Sequence, residues 1–139
     1  MKGTLLFVED DRDDEELTLL GFKQQGLKLE VVVARDGQFA LERLHADLAA
    51  SRPLPAAILS DLKMPRMDGL DLLRRLRDEP ALRGIPVGFL SSSSTEADKT
   101  EALRLGARFY MQKPSNLNAY GGLVGLINEM VARGQLAGA

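Results

Sequence analysis

The chain has 139 residues, enough for one domain of ordinary size around one core. Hydrophobic residues make up 45% and charged residues 27%, close to an average globular protein, and a formal net charge of −2 gives no electrostatic reason to bind nucleic acid or a membrane surface. Cysteine is absent, which removes disulfides, thiolate nucleophiles and thiolate metal sites, and no apolar run approaches the ~18 residues of a membrane span.

The N-terminus leads straight into residues 4–8, an apolar run without clean alternation, as expected of a strand covered on both faces. It ends on Glu9-Asp10-Asp11. A helix is predicted over 13–25, with acids in its first turn and Leu17, Leu20 and Gln24 at helical spacing; Gly26 ends it. The β-branched run Val31-Val32-Val33 places a second buried strand at 29–34. Asp36-Gly37 makes a turn, and Phe39, Ala40, Leu44 and Leu48 mark a second helix. A break at 49–55 contains Pro53 and Pro55.

Residues 56–59 form the third strand, which ends on Asp61; Pro65 and Asp68-Gly69 then enforce a loop. Leu70, Leu73 and Leu76 give a third helix, closed near Glu79-Pro80. A fourth strand at 85–90 runs into Ser91-Ser92-Ser93-Ser94. Thr95 caps a fourth helix, with Asp98 approximating a capping box. That helix ends around Ala102, Leu103 and Gly106. A fifth strand at 107–111 ends at Lys113-Pro114. Leu117, Tyr120, Leu123, Val124, Ile127 and Val131 mark the last helix, which Gly121, Gly122 and Gly125 weaken unless its first turn is irregular; the tail from Gly134 is expected to fray.

Strict strand–helix alternation predicts an α/β domain, a parallel sheet with right-handed crossovers and helices on both faces. The carboxyl ends of parallel strands share one rim, where such folds place their sites. Glu9 and Asp10, Asp61, Ser91 and Ser92, and Lys113 all fall there. Crowded carboxylates repel, and a hard divalent cation such as Mg²⁺ offsets the charge through oxygen ligands. A lysine and a hydroxyl opposite the ion suit a phosphoryl group, and a carboxylate beside it can become an acyl phosphate.

Each residue alone has a blander explanation. Asp61 could cap a turn, Asp11 a helix, and Ser93 and Ser94 a polar loop. Asp13-Asp14-Glu15-Glu16 reads as a solvated helix start. His45, the only histidine, has no ligand partner nearby in sequence.

Taken together the motifs resemble the receiver domain of two-component response regulators, over residues 2–133. Val8-Glu9-Asp10 matches the acidic metal pair. Asp61 with Met64-Pro65-Arg66-Met67-Asp68-Gly69 matches the phosphoacceptor and its loop. Ser91, Gly106-Ala107, Tyr110 and Lys113-Pro114 match the later positions. The Pro-broken extension and the run from Lys113 to Leu117 resemble small single-domain regulators paired with phytochrome-type and related sensor kinases.

The resemblance implies a flavodoxin-like sheet of order 2-1-3-4-5 in a single receiver domain spanning 1–139. It implies that Asp61 takes a phosphoryl group from a histidine kinase. Glu9, Asp10, Asp61 and the backbone carbonyl of Lys63 would bind Mg²⁺. Ser91, the Ser92 N–H and Lys113 would hold the phosphoryl group, with Lys113 aimed by a cis Lys113–Pro114 bond. Ser91 and Tyr110 would form a switch that changes a protein-binding surface. Lys63 and Ser93 border the water access that sets phosphoryl lifetime. The implied protein is a cytoplasmic signalling switch with self-catalysed phosphotransfer and slow autodephosphorylation. Its downstream target is a protein, and a homodimer is open, since Leu123, Ile127 and Met130 suit either a core or an interface. A Mg²⁺-dependent aspartyl phosphohydrolase would place its nucleophile after the first strand with a second Asp two residues on, which Glu9-Asp10-Asp11-Arg12 lacks. A scaffold that no longer accepts phosphate would not need Asp10, Asp61, Ser91 and Lys113.

Overall fold

A computed structural model of the chain describes residues 3–92 and 95–137. The elements follow in the order β1 (Thr4–Val8), α1 (Arg12–Gln24), β2 (Glu30–Ala34), α2 (Gly37–Ala49), β3 (Ala57–Ser60), α3 (Gly69–Asp78), β4 (Val87–Ser91), α4 (Glu96–Arg104), β5 (Phe109–Gln112) and α5 (Tyr120–Ala137). The strands form a parallel sheet of order β2-β1-β3-β4-β5, the flavodoxin-like arrangement.

Both faces of the sheet are covered, and the side-chain alternation of each strand explains how. In β1, Leu6 and Val8 join Ala40, Leu41, Leu44, Leu72, Leu73 and Leu76 of α2 and α3. Leu5 and Phe7 point the other way and join Phe22, Tyr120, Leu123 and Ile127 of α1 and α5. A strand covered on both faces has no polar alternation, which is why β1 from Leu5 onward and β3 read as apolar runs.

Four helices begin on side-chain caps at the same rim. Asp11 accepts from the Asp14 N–H (2.9 Å), Asp36 from Phe39 (3.0 Å), Asp68 from Asp71 (2.9 Å) and Thr95 from Asp98 (3.4 Å). Each cap satisfies an otherwise orphaned N–H and contributes about 1 kcal/mol. Asn116 caps a 3₁₀ turn at Leu117–Ala119 that leads into α5, whereas Gly121, Gly122 and Gly125 lie beyond it within the regular helix.

Three expectations change. Helix α1 buries Thr18, Gly21 and Phe22 rather than the predicted face, leaving Leu17 and Leu20 exposed. The cause is α5: Tyr120 is buried and its hydroxyl lies 3.2 Å from Thr18 Oγ1, and a Cβ at Gly21 would collide with its ring. Two hydrophobics that marked α2, Phe39 and Leu48, are likewise exposed. Finally, α5 continues through Ala137, past Gly134. Leu123, Ile127 and Met130 are buried in the core, which removes them as interface candidates.

Candidate functional site

The site forms where β1, β3, β4 and β5 end. Val8 pairs with Ser60, and just beyond that pair Glu9 N–H donates to Ala34 O (2.9 Å) and Asp61 N–H to Val8 O (2.9 Å). Sheet hydrogen bonding therefore extends into the acidic segment and fixes Glu9 beside Asp61. Ser91 ends β4, two positions beyond the partner of Ser60, and its carbonyl accepts the Lys113 N–H at 2.8 Å.

Asp61 is buried and doubly held. Its Oδ1 accepts the Leu62 N–H at 2.7 Å, and its Oδ2 accepts from Lys113 Nζ at 3.0 Å. The loop behind it closes when Gly69 N–H donates to Leu62 O at 2.8 Å. A Cβ on Gly69 would overlap the Asp61 carbonyl and the Phe89 ring, so this position requires glycine for close approach.

Lys113 sits among three carboxylates. Besides Asp61, its Nζ donates to Asp14 Oδ2 at 2.6 Å and lies 3.0 Å from Glu9 Oε2 as an ion pair. Burial pulls its pKa down, but hydrogen bonds to Asp14 and Asp61 and pairing with Glu9 outweigh that, and the ammonium is held above its ordinary range. Glu9 is fully buried, and desolvation first, then the charge of Asp61, pushes its carboxyl up to about 7. The Asp11 N–H, 3.1 Å from Glu9 Oε1, and Lys113 offset part of this.

Glu9, Asp10 and Asp61 each present an oxygen within 4.8 Å of the others. One octahedral ion with oxygens about 2.1 Å away would span that spread after small side-chain adjustments. Glu9 Oε2 is buried and its one cationic neighbour, Lys113, is shared with Asp14 and Asp61, while every side-chain ligand atom in the set is oxygen. The residues present thus fit a hard divalent cation.

The remaining predicted residues fall as follows. Ser91 is fully buried, Ser92 and Lys63 are exposed, and Ser93 lies outside the described residues. Tyr110 is half-buried against the α2–α3 side of the core, its ring 6.5 Å from that of Phe89. The Lys113–Pro114 bond is trans, against expectation; the lysine's direction is set by its carboxylate partners instead. Asp14 was expected to be solvated but reaches the site from the first turn of α1. Its only signal in the sequence is that a helix starting at this rim directs its first turn over the strand ends.

Residues 5–120 match the family model described as the response regulator receiver domain. The chain belongs to that family. The response regulator Rcp1 of Synechocystis sp. is 32% identical over 114 residues, covering 81% of this chain and 78% of the relative. Among solved structures, the bacteriophytochrome response regulator RtBRR superposes with a TM-score of 0.79 at 38% identity, over 91% of this chain and 78% of that one. The phosphorylated cyanobacterial phytochrome response regulator RcpA gives 0.79 at 32% identity, over 93% of both chains. Receiver domains are signalling switches of two-component systems. Among the described residues of this receiver, no helix is long and apolar enough to cross a membrane.

Proposed function

We propose that this receiver accepts a phosphoryl group on Asp61 from a sensor histidine kinase and thereby switches a protein-binding surface. The observation that supports the reading most is the 3.0 Å approach of Lys113 Nζ to Asp61 Oδ2, with Glu9 and Asp10 converging on the same carboxylate. An Asp61 oxygen attacks phosphorus in line; the P–N bond of phosphohistidine breaks, an acyl phosphate forms, and the imidazole leaves and is protonated. Lys113 then shifts its hydrogen bond from Asp61 to the phosphoryl oxygens. Ser91 and the Ser92 N–H supply further donors at the end of β4. Glu9, Asp10, Asp61 and the Lys63 carbonyl would hold Mg²⁺, which when bound neutralises charge on the phosphoryl group.

Movement of Ser91 toward that group would free space for Tyr110 to turn inward, biasing a two-state equilibrium in the β4–β5 region. The reading takes residues 1–139 as one receiver unit acting in the cytoplasm. The phytochrome-related names of RtBRR and RcpA support a phytochrome-type sensor as its kinase. The test is incubation with acetyl phosphate and Mg²⁺ followed by intact-mass spectrometry. Wild type should gain one phosphoryl group and Asp61→Asn none; an unmodified wild type, or equal modification of both, would overturn the assignment.

A further inference from the structure

The β3–α3 loop carries a residue that the phosphoryl chemistry leaves unused. Arg66 adopts φ +64°, a left-handed backbone that side chains other than glycine rarely take. Such a conformation persists only where neighbours hold it. Arg66 Nε donates to Asp36 Oδ2 at 2.8 Å and Nη2 to Asp36 Oδ1 at 3.1 Å, a two-pronged pair. Its guanidinium carbon lies 4.5 Å over the ring of Phe39, which explains why that aromatic stands outside the core. Beside it, the Gly37 N–H donates to Met67 O at 3.2 Å, and a Cβ at Gly37 would come within 2.8 Å of the same carbonyl.

An ordinary surface ion pair contributes little because both partners are mobile and solvated. This one differs on its acidic side. Asp36 is 4% exposed and its carboxylate already caps α2 through the Phe39 N–H, so it is a fixed anchor. The loop it grips begins at Asp61 and Leu62, passes Lys63, and is pinned in the core by Leu62 and Met67. Lys63 and Arg66 are separated by only Met64 and Pro65. A backbone carbonyl cannot be re-aimed by side-chain rotation, so its direction depends on how the loop is held.

We propose that Arg66 is a positioning residue for the divalent-cation site: its grip on Asp36 fixes the loop backbone that offers the Lys63 carbonyl to the ion. The inference rests on the functional reading above. It makes the start of α2 an outer support of the metal site, although α2 supplies no ligand.

Isothermal titration of the full chain with Mg²⁺ tests it without any phosphoryl donor. Arg66→Ala should weaken Mg²⁺ binding about ten-fold, as loss of an outer support of a metal ligand does. Asp36→Asn keeps the cap but loses the charge, and should weaken binding to a similar degree. The double variant should be no weaker than either single one. Arg66→Lys, a point charge without the fork, should fall between. Arg66→Gly relieves the backbone while removing the grip, so it should bind Mg²⁺ as weakly as Arg66→Ala even if its metal-free melting temperature matches wild type. Wild-type affinity in both Arg66→Ala and Arg66→Gly, whatever their stability, would overturn the proposal and leave the functional reading standing. A wild type that takes up no Mg²⁺ would overturn both.

Discussion

Glu9 is fully buried beside Asp61, and its carboxyl is pushed from 4.5 up to about 7, by desolvation first. The folded protein therefore holds this proton more tightly than the unfolded chain does. A group with a raised folded pKa favours folding below its unfolded value, and that contribution is lost as pH rises through the folded value. In the metal-free protein, Glu9 should thus cost stability progressively between pH 4.5 and about 7. Glu9→Gln stays neutral, so it should raise the urea midpoint at pH 8 and change it little at pH 5. The gain is at most roughly 3 kcal/mol, with the pairing to Lys113 already included in the shift. Equal effects at both pH values would contradict this account. Glu9, Asp10, Asp61, Ser91 and Lys113 were legible in the sequence because each interrupts or follows an apolar strand run. Asp14 was not: four acids in a row at a helix start look alike, and only the approach of α1 to the end of β5 separates Asp14 from its neighbours. Arg66 was equally hidden, since nothing in a loop sequence announces which side chain reaches a cap thirty residues earlier.

Glycines at the level of the helix show how packing decides what propensity cannot. Glycine in a helix interior costs about 1 kcal/mol relative to alanine. Gly125 of α5 is exposed with open space around it, so Gly125→Ala should stabilise by roughly that amount. Gly21 of α1 is buried, and an added Cβ would stand 2.5 Å and 2.7 Å from atoms of the Tyr120 ring. Overpacking of this kind costs roughly 1–3 kcal/mol, enough to cancel or exceed the propensity gain. Gly21→Ala should therefore destabilise, by up to about 2 kcal/mol, and urea denaturation of the two variants would show shifts of opposite sign. The same contact explains the misjudged face of α1. Periodicity favours leucines, yet a bulky aromatic on the facing helix selects the side with glycine and a hydroxyl. Element existence and order were legible from apolar runs and caps, whereas the packing face depended on a residue about a hundred positions away.

Across the whole molecule, alternation of strand and helix is enough to require a parallel sheet covered on both faces. It does not specify strand order, which came only with the family resemblance. Once that order is set, acids from β1 and β3 must crowd at one rim, and their repulsion should make folding respond to a cation. A ligand that binds only the folded state stabilises it by RT ln(1 + [L]/Kd), about 2.7 kcal/mol at a hundred times Kd. For a chain of this size that corresponds to a rise in melting temperature of roughly 5–10 °C. The ion competes with the proton on Glu9, so the Mg²⁺-dependent rise should be larger at pH 8 than at pH 6. Asp10 is the exposed member of the cluster, and removing it relieves repulsion while deleting a ligand. Asp10→Ala should keep or raise the metal-free melting temperature and lose most of the Mg²⁺-dependent rise. Thermal unfolding with and without Mg²⁺ at the two pH values checks both statements. If Asp10→Ala responded to Mg²⁺ as wild type does, the stabilising ion would be bound somewhere other than this rim.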